Sequence, residues 1–160
     1  MAQANQELLF AVSQIHDRLA DLYSEALPAA TAGWETDGLT QDNMGRIGGG
    51  VSVQVQYMFN DESGEDYLYR SVTIGLMSDS PMLSTVMMLI NNPMYGSGRA
   101  VTVEGCKAAE EWDGEHGKLQ FVIDNRVLVT IDCNGLSSRE EMREWAGKIN
   151  FAHLKKVIAS

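Results

Sequence analysis

The chain is short of cysteine, of basic residues and of long apolar runs, and each shortage excludes a class of protein. Two cysteines in 160 residues, Cys106 and Cys133, are too few for a disulfide scaffold. Twelve basic against 22 acidic residues give a net charge of -10, a field that repels nucleic-acid phosphates and anionic lipid headgroups. No run of about 18 consecutive apolar residues exists to cross a bilayer as a helix. His16, His116 and His153 show no metal-ligand spacing such as H-x-x-x-H, and there is no Cys-x-x-Cys pair. Neither a G-x-S-x-G elbow nor an EF-hand loop occurs, so no metal, cofactor or catalytic set is expected.

What is present is an ordinary globular composition, 44% apolar and 21% charged, on a chain long enough to bury roughly two thirds of its unfolded surface as one domain, 1–160. Its most distinctive chemistry is Met77 to Met94, MSDSPMLSTVMMLINNPM, which holds five of nine methionines. Unbranched, polarizable methionine suits an adaptable core, a forgiving apolar surface or soft-metal ligation. Ser80 and Pro81 form a helix start and Asn91-Asn92-Pro93 a stop. Between them only Ser84 and Thr85 are polar, which predicts a helix buried on most sides or covered by a partner.

Leu8, Val12, Ile15, Leu19 and Leu22 recur at helical spacing and predict a helix that ends before Pro28. That stripe can dock on the sheet or pair with its twin in a homodimer, and its short length favours docking. The glycine-rich stretch 33–50 shows little periodicity and is expected to be an irregular connection carrying Trp34 and Leu39. The glycines of Gly45 to Gly50 are read as a turn that lets backbones approach, since a phosphate cradle opens a helix and here a strand follows. Val51 to Phe59 and Leu68 to Leu76 alternate as two paired strands joined by the turn Asn60 to Asp66, with Arg70 interrupting the second apolar face.

Arg99 to Glu104, Lys107 to Trp112, Leu119 to Ile123 and Val127 to Ile131 read as four further strands, with Asp124-Asn125 as a two-residue hairpin turn. Cys106 and Cys133 then fall at opposite ends of this set. Five strand residues span roughly 16 Å, whereas a disulfide tolerates about 7 Å between Cα atoms, so free thiols are expected. Ser137 and Glu140 form an S-x-x-E capping box for a last helix presenting Met142, Trp145 and Ile149, with a break at Gly147. The predicted fold class is α+β: a single antiparallel sheet of about six strands, helices on its faces, in the order α-β-β-α-β-β-β-β-α.

Gly33-Trp34, Asp79-Ser80-Pro81-Met82-Leu83, Asn92-Pro93-Met94 and the block from Val103-Glu104-Gly105 through Asn125 to Val129 and on to Ile149-Asn150-Phe151 together resemble conserved proteobacterial exported proteins of unknown function. The likeness runs from about Gly33 to Leu154. The element order is similar, more distantly, to the PsbP-like layered fold. The resemblance brings no catalytic residues; it implies an exported location and an accessory role. Ala2-Gln3-Ala4 has the small-x-small form of a processing site, which adds to the expectation of a periplasmic protein whose signal peptide is absent from this sequence.

The functional expectation is therefore a non-catalytic binding or accessory protein that takes a protein or small apolar ligand on a surface near residues 87–98. Met87, Met88, Met94, Tyr95, Arg70 and Trp34 are its candidate binding residues. Two alternatives are a small hydrolase or isomerase, requiring His116 or His153 beside a carboxylate or hydroxyl, and a methionine-based Cu(I) carrier. Sheet packing explains Met82 to Ile90 most simply, which leaves the exit from that helix as the place to look.

Overall fold

A computed structural model describes residues 2–31, 33–43, 50–59, 70–92 and 99–159. In chain order these form α1 (Ala2–Ser24), β1 (Trp34–Asn43), β2 (Val51–Phe59), β3 (Ser71–Ser78) and α2 (Leu83–Asn91). There follow β4 (Arg99–Val103), β5 (Cys106–Trp112), β6 (His116–Ile123), β7 (Val127–Asn134), α3 (Arg139–Gly147) and α4 (Phe151–Ala159). All seven strands lie in one antiparallel sheet, in the order β1-β2-β3-β7-β6-β5-β4. After β3 the chain crosses by way of α2 to the far edge and returns through a meander, so that β7 closes on β3 with Ile74 opposite Ile131.

Period-two alternation decides which face is the core. Val53, Val55 and Tyr57 in β2, Val72, Ile74 and Leu76 in β3, Leu119, Phe121 and Ile123 in β6, and Val127, Val129 and Ile131 in β7 are all buried on one face. Met142, Trp145, Leu154 and Val157 of α3 and α4 cover them, together with Ala20 and Tyr23 from the end of α1. Each large side chain sealed there gains roughly 1.5–3 kcal/mol on leaving water. The opposite face presents Gln54, Thr73, Gln120 and Thr130, and α2 shields only part of it, setting Val86 and Ile90 on Leu128.

Among the described residues, the fastenings of α1 lie at its C-terminal part. His153 Nε2 lies 2.7 Å from the Leu22 carbonyl, Asn150 donates to the Ala26 carbonyl at 2.9 Å, and the Tyr57 hydroxyl donates to the Pro28 carbonyl. Gln41 of β1 adds bonds to Asp21 and Ser24. Leu19 and Leu22 pack as expected, but every described side chain from residue 3 to residue 18 is exposed. The stripe thus docks over its last two members, and Leu8 and Ile15 do not reach the core.

Several expectations need correction. The stretch 33–50, expected to be an irregular connection, instead gives ten residues to edge strand β1, which raises the strand number to seven. An edge strand held by backbone bonds to β2 need not alternate, and a bulge between Thr36 and Leu39, at Gly38 with φ 71°, breaks its period further. Gly50 is a close-approach glycine, since a Cβ there would stand 2.7 Å from the Ser78 carbonyl oxygen; the glycines before it lie outside the described residues. The helix after Ser80 starts later, at Leu83, with Ser80 Oγ accepting from Met82 N at 3.1 Å. The capping box is shifted by one: Ser138 accepts from Glu141 N at 3.2 Å while the Glu141 carboxylate takes Ser137 N at 3.0 Å. Doubled serines and doubled glutamates satisfy the pattern in both registers, and the structure uses the second.

β7 extends through Asn134, so Cys133 is inside it rather than past its end, and both cysteines are free thiols. Asp124 and Asn125 adopt φ of 50° and 58°, the two-residue hairpin expected of them. The turn Asn60 to Asp66 lies outside the described residues.

One charge is taken into the core face. Glu110 is 2% exposed, and the Arg143 guanidinium grips both its oxygens, at 2.7 and 2.9 Å, pinning α3 to β5. That fork raises the Arg143 pKa still further. Arg143→Ala leaves the carboxylate unpaired and is expected to lower the unfolding free energy by about 3 kcal/mol, whereas a Leu-Leu replacement of the pair costs little. Urea unfolding of both variants checks this; a single variant as stable as the parent contradicts it.

Candidate functional site

The helix expected to be buried on most sides or covered by a partner is open on one side. α2 packs with one side only, burying Val86 and Ile90 and half-burying Leu83 and Met87, while Ser84, Thr85, Met88 and Asn91 face outward. Met88 is 51% exposed and Met82, just before the helix, 58%. The reason is topological. As the crossover to the far edge, α2 must lie over β5 and β6, and no further helix comes to cover its outer side among the described residues. Its C-terminal end meets edge strand β4 in a groove of about 270 Å³ lined by Ile90, Asn91, Ala100, Val101, Thr102 and Lys107.

The structure brings together only part of the expected set. Met87 and Met88 share α2, and Met94 and Tyr95 lie outside the described residues. Trp34 and Arg70 are on the other side of the sheet. Trp34 stands edge-on to Trp145 at 4.9 Å and to Phe59 at 5.3 Å, extending the core cluster toward β1. Arg70 lies over the Phe59 ring, 5.5 Å from its centre, so the interruption in the apolar face is a cation–π contact on the half-buried rim. Both residues hold the sheet edge, and neither joins a surface with the methionines.

A polar groove of about 560 Å³, which sequence reasoning did not find, lies at the β5–β6 hairpin end. Trp112, Asp113, His116, Lys118, Asp132 and Cys133 line it. The register sets Lys118 opposite Asp132 and His116 opposite Asn134. Pairing β6 with β7 one residue beyond the apolar run would have revealed this cluster; the polar ends of both strands hid it. Asp113 is committed to the turn, accepting from His116 N at 2.7 Å and Glu115 N at 2.9 Å. Those two bonds hold its carboxyl below the usual carboxylate range. The sign is that of a depressed acid: its support of the turn is full above the ordinary carboxylate pKa and is lost as pH falls through the lower folded value.

Cys133, the thiol in the lining of this groove, is 3% exposed. Burial pushes the Cys133 thiol up to about 11, a bond from its sulfur to the Gly117 carbonyl at 3.6 Å being too weak to offset it. Burial raises Cys106 as well. His153, the other histidine considered for acid–base work, is half-buried and braces α4 against α1 through the Leu22 carbonyl and Glu25, 3.6 Å away. Among the described residues no three His, Cys, Asp or Glu side chains are grouped to hold a metal ion.

No family model, curated protein or solved structure matches the chain. Its own geometry is therefore the ground for any functional reading. That geometry makes Cys133 inert: the native protein at pH 7.5 is expected to resist iodoacetamide at Cys133, with roughly one thiol in a thousand or fewer ionised, and to be modified there only in denaturant. Peptide mass spectrometry reads this, and native alkylation of Cys133 as fast as in urea would return the groove to candidacy as a catalytic site.

Proposed function

We propose that the chain is a non-catalytic binding or accessory protein that takes an apolar partner on the outer side of α2, with Met82 and Met88 as its principal contacts. One observation carries this reading: Met88 on the outer side of α2, and Met82 just before the helix, are each about half exposed, on an element whose C-terminal end opens into a partly apolar groove. Methionine adapts its shape to a partner at little rotameric penalty, which suits a surface that accepts related apolar segments. Lys107 at the groove favours a partner carrying negative charge at that end.

The periplasmic location and the PsbP-like layering belong to the same proposal and rest on the sequence resemblance. The buried, high-pKa thiol of Cys133 is compatible with an oxidising compartment, because a thiol that does not ionise is slow to oxidise. The partner is a protein or a small apolar ligand, and a second copy of the chain joined through α1 is also proposed.

The test uses anilinonaphthalene sulfonate, a dye that fluoresces on apolar surface. The parent is expected to bind it, and M82E/M88E to lose most of that signal while its unfolding free energy stays within about 1 kcal/mol, as exposed positions allow. Undiminished dye binding by a folded double variant would overturn the α2 reading.

A further inference from the structure

We infer that the projecting half of α1 is a self-association element, which crosses α1 of a second copy antiparallel and fills the groove between α1 and α4. Residues 3–18 extend about 24 Å at helical rise, and their described side chains are all exposed. Leu8, Phe10 and Ile15 are exposed by 64%, 67% and 65%. Helix propensity alone does not hold several unsupported turns in water, so this half needs a surface to lie on.

The same copy supplies a fitting surface. Ile15, Arg18, Leu19, Leu22, Val157 and Ile158 line a groove of about 320 Å³ along the flank of α1, with Tyr23 and Arg126 also in its lining. Ala4, Leu8, Ala11, Ile15, Arg18 and Leu22 follow one another at spacings of four, three, four, three and four, so one helix face points toward that groove. An antiparallel crossing that sets Ala11 against Ile15 of the second copy also sets Ala4 against its Leu22. Ala4 and Ala11 then meet large residues, Leu8 meets the Arg18 stem, and a two-fold axis repeats every contact.

Charge selects the same occupant. In residues 1–15 the sole ionisable side chain is Glu7. Both cationic side chains of the groove, Arg18 and Arg126, belong to a protein of net charge -10. Arg126 is shared with Asp79 at 3.4 Å, while among the described residues no ion pair holds Arg18. In the crossing just described Arg18 lies over Leu8 of the second copy and beside its Glu7, twice per dimer. A fatty-acid-like amphiphile would meet the same apolar wall and guanidinium groups, but it would leave Leu8 in water.

This inference rests on the binding reading only in counting a second copy among the partners, and it uses a different surface from α2. Sedimentation equilibrium of the full chain at about 100 μM, where weak pairs still persist, is expected to give a dimer. Glu7→Arg and Arg18→Glu are each expected to weaken it about tenfold, and the two together to restore it, since two symmetric exposed pairs are reversed and then re-formed. Ile15→Asp should yield a monomer with an unchanged melting temperature. M82E/M88E should leave the dimer intact, so failure of the α2 reading and failure of this one are separable. A monomeric parent, a dimer indifferent to Ile15→Asp, or a double charge swap without rescue would each overturn the inference, and a monomer that gains stability from dodecanoate would assign the groove to an amphiphile instead.

Discussion

Everything in the molecule follows from how a wide antiparallel sheet is covered. The buried positions of β2, β3, β6 and β7 form one continuous apolar face, and that face must be sealed or the sheet does not hold. α3, α4 and the end of α1 seal it, with Trp145 wedged against Tyr57 at 4.9 Å and Phe151 stacked on Phe121 at 5.9 Å. The Glu110–Arg143 fork then fixes where α3 sits. After this packing is complete, what remains is α2 on the other face and the projecting half of α1. The surfaces available for function are the apolar elements that the fold did not use.

That division explains why the two exposed regions differ in kind. α2 is constrained by topology: it is the crossover that carries the chain from β3 to edge strand β4, and it lies where the crossing puts it. Its inner residues Val86 and Ile90 anchor it through Leu128, a small satellite of the main core. α1 is constrained by its fastening at Ala20 to Pro28, and the described side chains of its N-terminal half are all exposed. A short anchored helix with flexible methionines suits recognition of another molecule. A longer helix with a seam of alternating small and large residues suits recognition of itself.

Strands were legible in the sequence wherever one face had to be apolar. Val51 to Phe59 and the meander from β5 to β7 follow from alternation alone, and Asp124-Asn125 from turn chemistry. β1 was illegible because an edge strand is held by its backbone, and a bulge at Gly38 erased what period it had. The cover of α2 was misjudged for a general reason: a mostly apolar sequence says that a helix needs cover, but the amount of cover depends on which elements the topology leaves free. Of the candidate binding residues, Met87 and Met88 share the helix that the sequence indicated, whereas Trp34, from the stretch read as irregular, and Arg70, which interrupts an apolar face, buttress the sheet edge. The polar groove at His116 was hidden because it depends on the register of two strand ends, which composition does not encode.

The central claim is that α2 is a lightly seated, partner-facing helix and not a member of the core, and native-state hydrogen exchange tests it most directly. Amides of residues 83–91 are expected to exchange through local opening, at least about 2 kcal/mol below the global unfolding free energy that governs β7 and the helix carrying Trp145. Exchange of α2 as slow as that of β7 would contradict the account and place the methionine helix in the core after all.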